Sequence, residues 1–476
     1  MNRKNLFAHL ALATAIILAA AFIGQVRRWR HEWKSVSLLQ RGNELKTVPV
    51  APTGAEVLVR FKPGTTLDYI RSTASAHHDR LEDEIESVDG LAVLEDEDGL
   101  DADTVVKEYL KVPGVEYAEP NMQISLDDPQ NGSGFGQGAG SQSDNVLSYP
   151  LNLPDDPMFE NQWSLQNTGQ NGGNKEADIS AVTAWSKTRG SEDVVVAVLD
   201  SGVDYTHQDL IENMWHRPAS MAEYSDKELG VIDDVNGFNA VDNLRDPMDD
   251  NGHGTHCAGI IGAEGGNGFG ISGVNWHVKI MPLKFMNAFG QGSTKDAIEA
   301  INYVVERKNA GVNVRVISAS WGSTSKSKAL SDAIKRAGDA DILFVAAAGN
   351  SSENSDKRPH YPAGYDLPNV ISVAATDRND QLASFSNYGA KSVHVAAPGR
   401  DILSTWLNGT FRDASGTSMA TPEVSGVAAL VLALNKDMPV AKLRERLLNS
   451  VDKLPALEGK VSSGGRINAA KAVGGK

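Results

Sequence analysis

The chain has 476 residues, 41% of them hydrophobic, enough for a large core and consistent with two to three domains. A net charge of −16 argues against nucleic acid as a main partner, which would need a basic face. A single cysteine, Cys257, rules out an intrachain disulfide.

From Asn5 to Val26 there is no Asp, Glu, Lys or Arg, and Arg3 and Lys4 precede the run. This is the layout of an export signal, with Ala19 and Ala21 as small residues ahead of a cut. The run is also long enough to cross a bilayer uncleaved. Residues 1–26 are therefore expected to be a signal peptide or a membrane anchor, and residues 27–54 a basic linker. The basic stretch "RRWRHEWK" at 27–34 lies on the wrong side for simple N-in export, so cleavage and anchoring both stay open. Either way the protein is expected to be exported, secreted or membrane-anchored.

Residues 55–126 read as a small unit of strands and helices. "EVLVRFK" (56–62) is a strand ended by Pro63-Gly64. "TTLD" (65–68) matches a capping box that opens a helix. A second strand is predicted over Ile85–Leu94, then a helix capped by Asp103 that stops near Pro113-Gly114, then a last strand in "VEYAEPNMQI". Eleven acidic residues and no basic one lie between Glu82 and Asp103. Spread over three predicted elements, they read as a solvated face rather than a metal site. Residues 127–150, rich in Gly, Ser, Gln and Asn, read as a flexible linker.

From Leu151 onward, near-continuous apolar strands alternate with amphipathic helices. The strands are predicted at 194–200, 278–285, 314–320, 342–350 and 370–376, with helices at 294–309 and 328–337. Strands that are apolar on both faces imply an α/β domain with a mostly parallel sheet and helices on both faces. Functional groups of such sheets gather at the carboxyl ends of the strands.

Four stretches stand out there. Asp200 closes the strand "VVVAVLD"; alone it also fits an ordinary turn before Ser-Gly. His253 lies in "NGHGTHCAG" at the start of a predicted helix running to about Ala263. His253 and His256 are three apart, whereas a helical zinc pair would usually be four apart with a nearby Glu. Asn350 ends "ILFVAAAGN", where its amide could face an oxyanion or simply start a turn. Ser418, in "GTSMATP", precedes an apolar run, and Pro422 suits only the first turn of a helix. Ser418 is thus expected at a helix N-terminus, as a plain cap or as a group using the dipole.

The order Asp…His…Ser is the one used by subtilisin. "VLDSGVD", "NGHGTHCAG", "AAAGN" and "GTSMATP" together resemble the signature blocks of subtilisin-like serine proteases. The resemblance runs from Leu151 to the C-terminus and includes "ASFSNYG", "VAAPG" and "GGRINAAKAV"; "HCAG" leans toward the proteinase-K-like and thermitase-like branches. "VLVRFKPG" and "VPGVEYAEPN" resemble the family's propeptide, which implies a small ferredoxin-like α+β domain at 55–126 that inhibits a peptidase domain at 151–476.

The resemblance implies a self-processing serine endopeptidase acting on protein and peptide substrates, expected to be a monomer. Asp200, His253 and Ser418 would form the triad, and Asn350 would donate to the oxyanion with support from Thr417. Ser318, Ser320, Trp321, Gly322, Ala347 and Gly349 would bind substrate, with Ala348 in the same wall. No acidic residue stands in those stretches, so an apolar or aromatic side chain is expected before the cut. Calcium is the implied ion, with Asp209 and Asn267 side chains and the Phe269 and Ile271 carbonyls as ligands; oxygen-only ligation suits a hard cation. Tyr361–Pro362 would be a cis bond. Glu423 departs from the pattern, since a His commonly follows "TP". Cys257, four residues after His253, would lie beneath it as a small buried residue. A catalytically dead binding protein on the same fold would lack one of the four motif residues, and the Gly-x-Ser-x-Gly elbow of common esterases is absent.

Overall fold

The computed structural model describes residues 54–126, 153–227, 230–241 and 246–474. The expected signal or anchor at 1–26, all but the last residue of the basic segment at 27–54, and the expected linker at 127–150 lie outside them.

The N-terminal part begins with β1 (Glu56–Phe61) and α1 (Leu67–Ala76), followed by β2 (Asp79–Glu84) and β3 (Leu91–Asp96). α2 (Ala102–Tyr109), β4 (Val115–Pro120) and β5 (Gln123–Ser125) complete it. The first four strands form an antiparallel sheet in the order β2-β3-β1-β4, which with two helices is the ferredoxin-like arrangement. The single strand expected over 85–94 is instead a turn followed by β3. Ile85 and Val88 carbonyls accept from Val88 and Leu91 amides, and Gly90 supplies a positive φ of 79°. The helix caps also shift: Thr66 and Asp101, not Thr65 and Asp103, accept from the first-turn amides.

β1 alternates between two cores. Val57, Val59 and Phe61 pack under α1 and α2, whereas Leu58 faces the larger domain together with Leu91, Val93 and Tyr117. The acidic segment is correspondingly not a plain solvated face. Glu82 pairs with Lys295, Glu84 reaches Lys227 at 2.9 Å, and Glu86 accepts from Asn302 at 2.9 Å. These contacts join residues far apart in the chain, which a local charge count does not reveal.

The larger domain contributes β6 (Gly190–Asp200), a hairpin of β7 (Tyr224–Asp226) and β8 (Gly230–Ile232), and β9 (Phe238–Asn239). Then come α3 (His253–Gly262), β10 (His277–Lys284), β11 (Gln291–Ser293), α4 (Thr294–Asn309) and β12 (Val314–Ala319). α5 (Lys328–Asp339), β13 (Leu343–Ala347), β14 (Val370–Thr376) and β15 (Val395–Pro398) follow. A hairpin of β16 (Ile402–Trp406) and β17 (Thr410–Ala414) leads into α6 (Thr417–Leu434), α7 (Val440–Asn449), β18 (Val451–Lys453) and β19 (Gly465–Ile467).

Among the described residues nine strands form one sheet, ordered β18-β19-β15-β14-β13-β12-β6-β10-β9, and only the β18–β19 pair is antiparallel. Val195, Ala197 and Leu199 of β6 share a core with α4 and α5 residues such as Ala297 and Ala333, while the intervening Val196 and Val198 are equally buried against the other layer. That layer holds α3 and α6, packed on each other. α6 is long and apolar enough to cross a membrane, but here it is the central core helix. β6 and β13 end at Asp200 and beside Asn350, so the sheet delivers both groups to one edge.

Candidate active site

Asp200 is the last residue of β6 and fully buried; His253 is the first residue of α3 and 2% exposed. Asp200 Oδ1 lies 2.8 Å from His253 Nδ1 and also accepts from the Ser201 amide at 2.8 Å. The Asp–His pair is held by Asp249, whose Oδ1 accepts from the Ser201 hydroxyl and the Asn251 and Gly252 amides, while its Oδ2 accepts from Thr255. Asp249 therefore ties the end of β6 to the start of α3; sequence reading missed it, although it lies inside "DDNGHGT". Burial opposes a charged His253, but the Asp200 carboxylate and Cys257 together hold the imidazole well above its ordinary pKa. His256 faces elsewhere, with Nε2 against the Ile402 and Arg412 carbonyls, so the two histidines do not converge on a metal. Cys257 is fully buried, its sulfur 4.0 Å from His253 Nδ1 and 3.5 Å from the Ser418 carbonyl.

Ser418 is the second residue of α6, as expected of a helix N-terminus. Pro422 is not in the first turn but inside the helix. A proline there cannot bond the carbonyl four residues back, and that carbonyl belongs to Ser418. It accepts instead from the Ser320 hydroxyl at 2.8 Å, and Ser418 Oγ donates in return to the Ser320 carbonyl at 3.0 Å. His253 Nε2 has no hydrogen-bond partner among the described residues.

Asn350 Oδ1 accepts from the Thr417 amide at 2.9 Å and the Thr417 hydroxyl at 3.0 Å, which orients its Nδ2 the other way. A Cβ built on Gly416 would lie 3.3 Å from that Nδ2 and 3.5 Å from the Ser418 amide nitrogen. The missing side chain leaves a space on which both donors converge.

Gly322 bridges Ser125 of the N-terminal unit, and β5 pairs antiparallel with β11, with Ile124 opposite Gly292. The Leu126 amide continues this ladder to the Gly290 carbonyl at 2.9 Å. The Gly349 amide donates to the Thr417 hydroxyl, and Ala347 ends β13 just before it. Ser318 accepts from Ser425, and Trp321, packed in one cluster with Ile124 of the N-terminal unit, donates from Nε1 to the Leu199 carbonyl. The Tyr361–Pro362 bond is cis.

The expected metal loop is drawn around Asp209, which accepts from Asn267 Nδ2 and the Ile271 amide, each at 2.9 Å. Asn267 Oδ1 accepts from Phe269. Sequence reading missed Asp156, whose carboxylate accepts from the Gly266 and Asn267 amides of the same loop. Burial pushes both carboxyls up to about 7.

Comparison with known proteins decides the family. Residues 191–466 match the model of the subtilase family, and residues 53–121 match the fervidolysin N-terminal prodomain. The chain belongs to the subtilase family. It is 34% identical to a thermophilic serine proteinase of Bacillus sp. (strain AK1), covering 78% of this chain and 76% of that protein. It is 36% identical to thermitase of Thermoactinomyces vulgaris over 67% of this chain and 99% of thermitase. A cell wall-associated protease of Bacillus subtilis (strain 168) is 37% identical over 63% of this chain and 30% of its own length. The protein is a serine endopeptidase with an N-terminal prodomain, and its relatives support its synthesis as a zymogen.

Proposed function

We propose that this subtilase cleaves peptide bonds through an acyl-enzyme formed on Ser418, and that it first cuts its own chain. The observation that carries the reading is the buried Asp200–His253 pair, 2.8 Å apart, beside a serine whose amide converges with Asn350 Nδ2 on one space. A serine hydroxyl is a weak nucleophile until a base takes its proton. His253 Nε2 does so once Ser418 turns from the Ser320 carbonyl. Asp200 fixes the tautomer and stabilises the imidazolium. Asn350 Nδ2 and the Ser418 amide receive the oxyanion, each such donor contributing about 3–4 kcal/mol. His253 then gives its proton to the leaving amine, and water, deprotonated by the same imidazole, releases the acyl group.

The prodomain is read as the first substrate and then the inhibitor. Its last strand lies between β11 and Gly322 in the antiparallel manner of an extended peptide added to strand edges. Glu119 accepts from the Ser327 hydroxyl and the Lys328 amide at the start of α5, and Asn121 accepts from the Lys295 amide at the start of α4. Both helix N-termini thus receive prodomain oxygens.

Calcium fits the loop around Asp209. Two buried carboxylates, of Asp209 and Asp156, and the Asn267 amide oxygen form an oxygen-only donor set. Asp209, Asp156, Asn267 and the Phe269 and Ile271 carbonyls would hold the ion, which would neutralise the carboxylates and brace the loop. The uncharged run at 5–26 and the cell wall-associated relative support export, as a secreted or membrane-anchored enzyme.

The test compares wild type with Ser418→Ala. Wild type should take up a fluorophosphonate at Ser418 and yield a protease-sized fragment whose new N-terminus lies between residues 125 and 151. Ser418→Ala should do neither. Purified Ser418→Ala that matures as fast as wild type would defeat both the nucleophile and the self-processing reading.

A further inference from the structure

We infer that Lys284 is a positioning residue for the proposed reaction: its ammonium joins the strand edge that receives the peptide to the two segments that carry Asp200 and His253. The inference rests on the reading of Asp200, His253 and Ser418 given above.

Lys284 ends β10, and Asp200 ends β6 beside it. The two are register partners, and the Phe285 amide donates to the Asp200 carbonyl at 3.0 Å. The Lys284 side chain is 7% exposed. Lysine is rarely buried so far, because an ammonium out of water needs an acceptor for its hydrogens and a charge to face. Lys284 has both. Its Nζ donates to the Ser201 carbonyl at 2.8 Å, to the Met286 carbonyl at 2.8 Å and to Asp250 Oδ1 at 2.6 Å. An ammonium has three hydrogens, and these contacts use all of them.

The acceptors come from three parts of the site. Ser201 follows Asp200, and its hydroxyl donates to Asp249 at 2.9 Å. Asp250 precedes Asn251, whose Oδ1 accepts from the His253 amide at 3.2 Å. Met286 roots the hairpin of β11: it bridges Gly292 in antiparallel register, and Gly292 lies opposite Ile124 of β5. The end of β6, the entry to α3 and the peptide-pairing edge therefore meet on one nitrogen. A methionine would fill much the same volume and supply none of these donors. An arginine would keep the charge but replace the compact head with a planar fork.

The charges also act on the imidazole. Asp200 of β6 and Cys257 and His256 of its own helix face His253, and Asp249 holds the segment between them. Lys284 and Asp250 add one charge of each sign beside Ser201. A positive charge disfavours the imidazolium and a negative one favours it. Asp250 is half-exposed and more screened by water than the buried Lys284.

The experiment uses the self-processed protein. Fluorophosphonate uptake at Ser418 counts active sites, so kcat and KM are read per competent molecule. A peptide long enough to lie along β11 is compared with an acetylated single-residue nitrophenyl ester too short to reach it. Lys284→Met should lower kcat/KM for the peptide about a hundredfold and kcat for the ester about tenfold, because one group holds both the edge and the Asp–His pair. Lys284→Arg should recover part of both losses. The acid limb of kcat/KM reports the His253 imidazole. It should move up by about half a pH unit in Lys284→Met and down by a smaller step in Asp250→Asn. A loss in Lys284→Met that vanishes once active sites are counted, a loss confined to the peptide, or acid limbs that stay still or move the same way overturn the inference. If Lys284→Met yields no labelled protein, Asp250→Asn decides alone: a downward acid limb supports the inference and an unmoved one overturns it. Wild type that neither labels at Ser418 nor cleaves either substrate removes the reading of the site itself, and the inference with it.

Discussion

Glu423 lies on the nucleophile helix and is completely buried beside Ser164, with Asp178 as a further negative neighbour. Burial pushes its carboxyl up to about 8. A carboxyl with a raised folded-state pKa favours the folded protein while it holds its proton. The unfolded chain releases that proton near the ordinary value of about 4.5, so the benefit drains away as pH rises from there to about 8. Glu423→Gln keeps the shape and cannot ionise. The gap in thermal midpoint between this variant and wild type should widen by several degrees between about pH 5 and about pH 9, in favour of the variant. A gap that does not change with pH would show that Glu423 ionises in the fold at its ordinary pKa. At this scale the sequence was a good guide where a residue's neighbours are local. Ser418 at a helix start and Asp200 at a strand end follow from flanking residues, and the four motifs together carry more than any one. Asp156 was not legible, because its place comes from a loop that meets it only in three dimensions.

The elements show the same division. β6, β10, β12, β13 and β14 are buried on both faces and announce themselves as apolar runs. The β2–β3 region did not, because a turn with an apolar Ile85 and Val88 looks like strand to a period count. Pro422 was expected to mark the first helical turn, yet the side chain of Ser320, just past the end of β12, takes the carbonyl it orphans. The loop at 264–271 is the element whose stability should respond to an ion. It joins the exit of α3 to Asp209 and Asp156, and it supplies no atom to the Ser418 chemistry. Calcium that binds only the folded state stabilises it by mass action, about 2.7 kcal/mol at a hundredfold excess over Kd. The thermal midpoint of Ser418→Ala, which cannot digest itself, should rise with calcium and fall with chelator, and Asp209→Asn should abolish most of the difference. An unchanged midpoint in the parent protein would remove calcium from this loop.

Across the whole molecule, the prodomain and protease domain meet at a group of carboxylates around one ammonium. Lys295 of α4 pairs with Glu82 and lies 4.0 Å from Glu56, both on the prodomain, and 3.7 Å from Glu299 of its own helix; Asp296 is its neighbour in sequence. Lys295 is 8% exposed and Glu299 3% exposed at the side chain. One positive charge cannot offset four negative ones out of water. Burial accordingly raises Glu299 well above the ordinary carboxylate range and Asp296 up to about 6, and it raises Glu56 as well, in each case against the pull of Lys295. Separation of the two domains would return these groups to water and to lower pKa values. The complex therefore holds protons that the separated domains release, so its affinity is greatest in acid and falls as pH climbs past the ordinary carboxylate range. Freshly processed protein chromatographed in the cold should retain its prodomain at about pH 5.5 and shed it at about pH 9. Glu299→Gln removes one of the buried negative charges and should flatten that dependence without touching Asp200, His253 or Ser418. Retention that strengthens with rising pH would mean that the Lys295 charge, not the surplus of carboxylates, governs release.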